Sequence, residues 1–238
     1  MIFDSYYEKT VAVLERIRTT QREKIAQAAA MAQRTIEAGG IIYIFGCGHS
    51  HLIALDNFYR AGGLCNVCPI LDESLMLHDG AAKSSKLEKM PGLAENILER
   101  YCLTDKDCLF VVSTSGKNAV PVEMSQAAKA RGIPTAAVVS GAYFDDPGEK
   151  LYRCADLYID NCVPHGDAVM ELPGCDAPMG SVSTVASSFI MQTVLLEAAA
   201  GAAEKGVKPP IYMSGNIAGG AEFNKALIRE YMPRIKHL

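Results

Sequence analysis

The chain has 238 residues, enough for one sizeable domain with extensions, and nothing in its composition asks for two. A net charge of −4 with no basic cluster gives nucleic acid no electrostatic footing. No apolar run approaches the roughly 20 residues of a membrane span, and the opening MIFDSYYEKT lacks the order of a signal peptide, so the expected setting is the cytoplasm, away from membranes.

From Phe3 to about Ala38 the chain has helical composition and spacing, as one long helix or as two with a break near Thr19-Thr20. A helical segment of this length ahead of the first strand leaves a face for another subunit. Gly39-Gly40 closes it in the manner of a C-cap. The apolar run Ile41 to Phe45 reads as a buried strand that stops at Gly46-Cys47-Gly48-His49-Ser50. Backbone N–H groups, a helix start and a serine hydroxyl can converge there on a phosphate or carboxylate, although a plain tight turn has the same look. A dinucleotide fingerprint is excluded because His51 stands where its third glycine belongs.

A helix over Leu52 to Arg60 and a strand over Leu64 to Leu71 follow. Asp72 to Met90, polar and lysine-rich, reads as a long loop containing His78 and Asp79, before a helix over Gly92 to Tyr101. Cys108 to Val112 is the clearest buried strand, and it runs into Ser113-Thr114-Ser115-Gly116-Lys117-Asn118 ahead of a helix over Val120 to Arg131. Hydroxyls, free amides and a helix N-terminus point to a phosphate cradle here, the alternative being a plain capped turn, with Asn118 serving either ligand or N-cap. Strands over Ile133 to Val139 and Asp156 to Ile159 precede a glycine- and proline-punctuated loop, Asn161 to Gly180. Ser181-Val182-Ser183-Thr184 then opens an apolar helix to about Ala200, a third hydroxyl turn at a helix start, and a short helix over Glu222 to Tyr231 ends the tail.

The eight cysteines are scattered, several of them, such as Cys108 and Cys154, in apolar strand-like runs that suit reduced thiols. Cys65-Asn66-Val67-Cys68 lacks the second ligand pair that a zinc site needs, so neither metal nor cofactor is expected. Strands alternating with helices predict an α/β fold, a parallel sheet covered on both faces. Ligands of such sheets bind outside the carboxyl ends of the strands, where three hydroxyl turns can surround one tetrahedral anion.

With these turns in view, the chain resembles the SIS (sugar isomerase) domain family, and within it single-domain bacterial SIS proteins of uncharacterised function. Gly46-Cys47-Gly48-His49-Ser50 stands where the family has Gly-x-Gly-x-Ser, Ser113 to Asn118 where it has Ser-x-Ser-Gly-x-Ser/Thr, and Ser181-Val182-Ser183-Thr184 at its third turn. Phe58 to Leu64 and Asp160-Asn161 followed by Gly166-Asp167-Ala168 carry the nearer likeness. The resemblance implies a three-layer α-β-α, five-stranded, flavodoxin-like sheet, and a homodimer or homotetramer whose sites borrow residues from a neighbour. It also implies that Ser50, Ser113, Ser115 and Asn118 hold a phosphate while Ser183 and Thr184 hold the sugar. The expected divisions are a helical segment at 1–38, the phosphosugar-binding domain at 39–206 and a tail at 207–238.

The full set expected to bind is Gly48, His49, Ser50, Ser113, Thr114, Ser115, Gly116, Asn118, Ser181, Ser183 and Thr184. Aldose-ketose isomerisation needs a base near C1 and C2 of the sugar, and the titratable groups expected near the sheet edge are His51, His165, Glu171 and Asp56, with Asp167 beside His165. The family's isomerases and etherases carry a glutamate on the helix after the first turn, where this chain offers Asp56, Asn57 and Arg60. The alternatives to a phosphosugar isomerase are therefore a non-catalytic sensor of phosphosugars and a lyase- or etherase-like enzyme.

Overall fold

A computed structural model describes all 238 residues. The helical start is two helices, α1 (Ile2–Thr20) and α2 (Arg22–Glu37). They break at Gln21, where ψ reaches 5° and the side-chain carbonyl accepts the Asp160 N–H at 3.1 Å. The break is thus set by a partner far along the chain. The elements that follow are β1 (Ile42–Gly46), α3 (His51–Asn57), β2 (Val67–Ile70), α4 (Ala81–Leu87), α5 (Leu93–Leu98), β3 (Cys108–Val112), α6 (Ala119–Ala130), β4 (Thr135–Val139), α7 (Leu151–Cys154) and β5 (Leu157–Asp160). A hairpin, β6 (Ala168–Met170) and β7 (Met179–Ser181), leads into α8 (Ser183–Glu204), and α9 (Gly220–Tyr231) closes the chain.

The five long strands form one parallel sheet in the order β2-β1-β3-β4-β5, with Gly46 opposite Val112 and Val139 opposite Asp160. Strand side chains alternate between two apolar layers. Ile42, Ile44, Phe110 and Val138 pack with α2 and α8, whereas Tyr43, Phe45, Leu109 and Val111 pack under α5, α6 and α9. This is the expected three-layer α-β-α fold. Because the connections reverse direction between β1 and β3, the sheet's switch point lies where those two strands end.

Several expectations need correction. Asp72 to Met90 is not a bare loop: it folds two 3₁₀ turns and α4, whose buried Ser84 donates to the Leu75 carbonyl at 2.8 Å. Leu87 of α4 packs against the apolar layer under α5 and α6, which no local periodicity announces. Asn161 to Gly180 likewise contains the β6–β7 hairpin, against whose Ser181 carbonyl the Tyr6 hydroxyl donates at 2.8 Å. Cys154 lies in the short α7 and is partly exposed. Finally, α8 is a 22-residue helix apolar enough in length and composition to span a bilayer, but half of it is buried as a core helix against α2.

The tail is held by a buried ion pair. Asp107, 1% exposed, accepts the Ile41 N–H at 2.7 Å and the Thr104 N–H at 2.6 Å, and takes both carboxylate contacts from Arg234 at 2.7 and 2.8 Å.

Candidate functional site

The first turn leaves β1 through a single 3₁₀ turn, Gly48–Ser50, before α3 begins. A side chain at Gly46 would meet the Ser50 carbonyl at 2.5 Å, so only glycine lets the chain double back this tightly. With seven residues, α3 contributes little axial dipole. The stronger helix start belongs to the second turn, which feeds the 12-residue α6.

In that second turn Gly116 takes φ +58°, and a Cβ there would lie 3.0 Å from Val139. Ser113 is buried and its hydroxyl accepts the Gly116 N–H at 3.3 Å. The Thr114 carbonyl accepts the Ser140 N–H at 2.8 Å, fastening the turn to the end of β4. The N–H groups of Thr114, Ser115, Lys117 and Asn118 are engaged by no backbone or side-chain acceptor of the chain. Asn118 is extended at the N-cap position without capping through its side chain. Unpaired amides, three hydroxyl residues and a helix N-terminus are the donors that an anion site requires.

The third turn is different. Asp167, held in the left-handed region at φ +62°, accepts the N–H groups of Val182 and Ser183 at 3.0 and 2.8 Å and the Ser183 hydroxyl at 2.6 Å. The N-terminus of α8 therefore already carries a carboxylate, and Ser183 is committed to it. Thr184 is exposed, and Ser181 lies on β7 with its carbonyl on Tyr6. What joins the second turn to α8 is Asn161, fully buried, whose amide donates to Ser187 at 3.3 Å and to Thr114 Oγ1 at 3.5 Å.

Of the titratable candidates, His51 is 5% exposed with Nδ1–H donating to the Gly48 carbonyl. This fixes Nε2 as the acceptor of the neutral ring. His49 is exposed on the turn and His78 faces His51 with ring centroids 6.3 Å apart. The Asp56 carboxylate is engaged by Arg60, by the Ser188 hydroxyl at 2.8 Å and by Gln192 at 3.3 Å, a clamp between α3 and α8. His165 is exposed, stacked on Tyr143 at 4.3 Å, with Nε2 3.7 Å from Asp146. Glu171 sits on an exposed stretch just after β6.

One carboxyl escaped the sequence reading. Glu88 follows α4, and its carbonyl accepts the Val120 N–H at 3.1 Å, tying it to the start of α6. Burial pushes its carboxyl up, opposed by the Asn118 amide. Its charge, after burial itself and together with that of Asp72, raises the Cys47 thiol on the first turn. Glu88 is thus fastened to the start of α6, and its charge is felt at Cys47 on the first turn. Nothing local marks it, since a glutamate in a lysine-rich segment reads as solvated surface. Concavities also lie elsewhere: one of about 440 Å³ flanks α2 and includes Arg34 and Asp156, and another of about 470 Å³ lies between Pro209-Pro210 and α9.

The SIS domain model matches residues 5–140. The UPF0309 protein of Geobacillus kaustophilus is 41% identical over 240 residues, covering 98% of this chain and 96% of the relative. Among solved structures, a phosphoheptose isomerase from Neisseria gonorrhoeae superposes with a TM-score of 0.58 at 15% identity, over 82% of this chain and 96% of that one. The Vibrio vulnificus NanR protein complexed with ManNAc-6P gives a TM-score of 0.54 at 14% identity, over 98% of this chain and 69% of that one. A domain match over more than half the chain, together with an end-to-end relative at this identity, makes the chain a member of the SIS domain family.

Proposed function

We propose that the chain binds a phosphorylated sugar at the carboxyl edge of its sheet and moves a proton between C1 and C2 of that sugar, as an aldose-ketose isomerase. The observation that carries the reading is the second turn: four N–H groups without a partner in the chain, beside Ser113, Ser115 and Asn118 at the start of α6, next to the Gly48–Ser50 turn across the β1–β3 pairing. A phosphate satisfies these donors at once. The name of the similar phosphoheptose isomerase supports the same ligand class.

Isomerisation also needs a group that accepts and returns a proton, with a pKa drawn toward neutrality. Glu88 has that character because burial raises it, and its tie to the start of α6 supports it as the group that meets the sugar. His51, with Nε2 the acceptor, is the second group in that zone. His165 and Asp56 are the remaining proposals; the existing partners of Asp56 are those of a helix clamp.

A non-catalytic sensor is the second reading. It is favoured by the ion-paired Asp56 in place of a free helix glutamate and by the fold shared with a protein solved with ManNAc-6P. Incubation with hexose, hexosamine and heptose phosphates in deuterated water separates the two. Deuterium at C2 of one sugar is the expected result; saturable binding without exchange assigns the chain to sensing, and no binding across the panel defeats both.

A further inference from the structure

Lys150 stands in an extended stretch between β4 and α7, at φ −129° and ψ 131°. Its side chain is 1% exposed, and it is the only lysine or arginine of the chain that is buried. Its Nζ has no hydrogen-bond partner in the chain. An ammonium withdrawn from water without a partner carries a heavy desolvation penalty, so a chain keeps one only where something compensates.

Its position indicates what that is. The N–H of Leu151 donates to the Gly116 carbonyl at 2.8 Å, and Leu151 Cβ lies 3.6 Å from where a Gly116 side chain would begin. Lys150 is therefore one residue from the crest of the second turn. Leu151 enters the apolar layer under α6. The adjoining acid is Asp146, which Lys117 engages at 2.8 Å and His165 approaches at 3.7 Å. Lys117, His165 and Lys150 all act on that one carboxylate, and Lys150 is the one left without a contact.

We propose that Lys150 is the fixed positive charge for the ligand's phosphate, held in reserve beside the Ser113–Asn118 turn and paired only when a dianionic phosphate ester is bound. The turn's own cation, Lys117, is engaged by Asp146, its other donors are neutral, and a dianion taken into a partly buried site needs a counter-charge close by. This inference rests on the phosphosugar reading and narrows it, since neutral sugars and weakly charged acids leave the ammonium uncompensated.

The test replaces Lys150 by methionine, of similar length and without charge, and separately by glutamine. Thermal unfolding of the whole chain is followed with and without inorganic phosphate, and binding of whichever phosphosugar the wild type takes is titrated. K150M is expected to melt at or above the wild-type temperature without ligand and to lose phosphosugar affinity 100-fold or more, with the phosphate-induced rise in melting temperature abolished; K150Q follows it. Affinity within threefold of wild type in either variant overturns the proposal. So does a fall in ligand-free stability, or a failure to fold, in both, because the lysine is then structural. If the wild type itself binds no member of the panel, the phosphosugar reading has failed and this inference with it.

Discussion

At the scale of single residues, the second turn and Glu88 make separable predictions. Ser115→Ala removes one hydroxyl donor from a charged acceptor, an effect of about 1.5 kcal/mol, so phosphosugar affinity is expected to fall roughly tenfold with the melting temperature unchanged. Isothermal titration beside a thermal melt checks it, and an unaltered affinity removes Ser115 from the cradle. Glu88 gives a pH signature. Burial raises its carboxyl above the ordinary value of 4.5, so the folded chain is penalised for ionising it at neutral pH and released from that penalty as pH falls through the raised value. Glu88→Gln is therefore expected to be more stable than wild type at pH 7, with the gain gone below about pH 4.5, and to lose C2 deuterium exchange. Melting curves across that range that run parallel contradict the burial account.

At the scale of elements, α8 depends on an acid supplied from outside it. Asp167 takes two N–H groups and one hydroxyl at the start of that helix. Asp167→Ala is expected to cost about 2 kcal/mol, the upper range for an N-cap, with Asp167→Asn recovering most of it because asparagine also tolerates left-handed backbone. Urea unfolding at constant m-value measures both. The same contact explains why the three hydroxyl turns are not equivalent. The start of α6 has its donors open, whereas the start of α8 is already filled by a carboxylate of its own chain.

At the scale of the whole molecule, two features bear on assembly and integrity. Val185, Phe189 and Leu196 of α8 lie along one helical stripe and are 43, 37 and 71% exposed, next to Leu52, Leu55 and Tyr59 of the α3 region. A second copy of the chain is the occupant this face is expected to take, in line with the oligomer that the family resemblance implies. Leu196→Glu should shift the mass by light scattering toward one chain; a wild type that is itself monomeric at micromolar concentration refutes the expectation. The tail is a separate matter. Because Asp107 is buried and carries Arg234, Arg234→Ala leaves a buried carboxylate without its charge partner and is expected to cost about 3–5 kcal/mol, read as a lowered urea midpoint.

The apolar runs at Ile41 to Phe45 and Cys108 to Val112, and the glycine-serine turns that end them, were legible without any structure. Strand alternation, the positive φ of Gly116 and the tight return at Gly46 are local demands that a few consecutive residues satisfy. From them followed the parallel sheet, its two covered faces and the edge at which we propose the anion binds. What the tertiary structure alone decided depends on residues distant in sequence. The first helix breaks at Gln21, to which Asp160 donates, and α4 forms where composition suggested a loop, with Leu87 packed against the layer under α5 and α6. Asp167 occupies the third turn, and Glu88 and Lys150 are drawn to the second by packing. A carboxylate or ammonium acquires its chemistry from what surrounds it after folding, and no spacing along the chain encodes that surrounding.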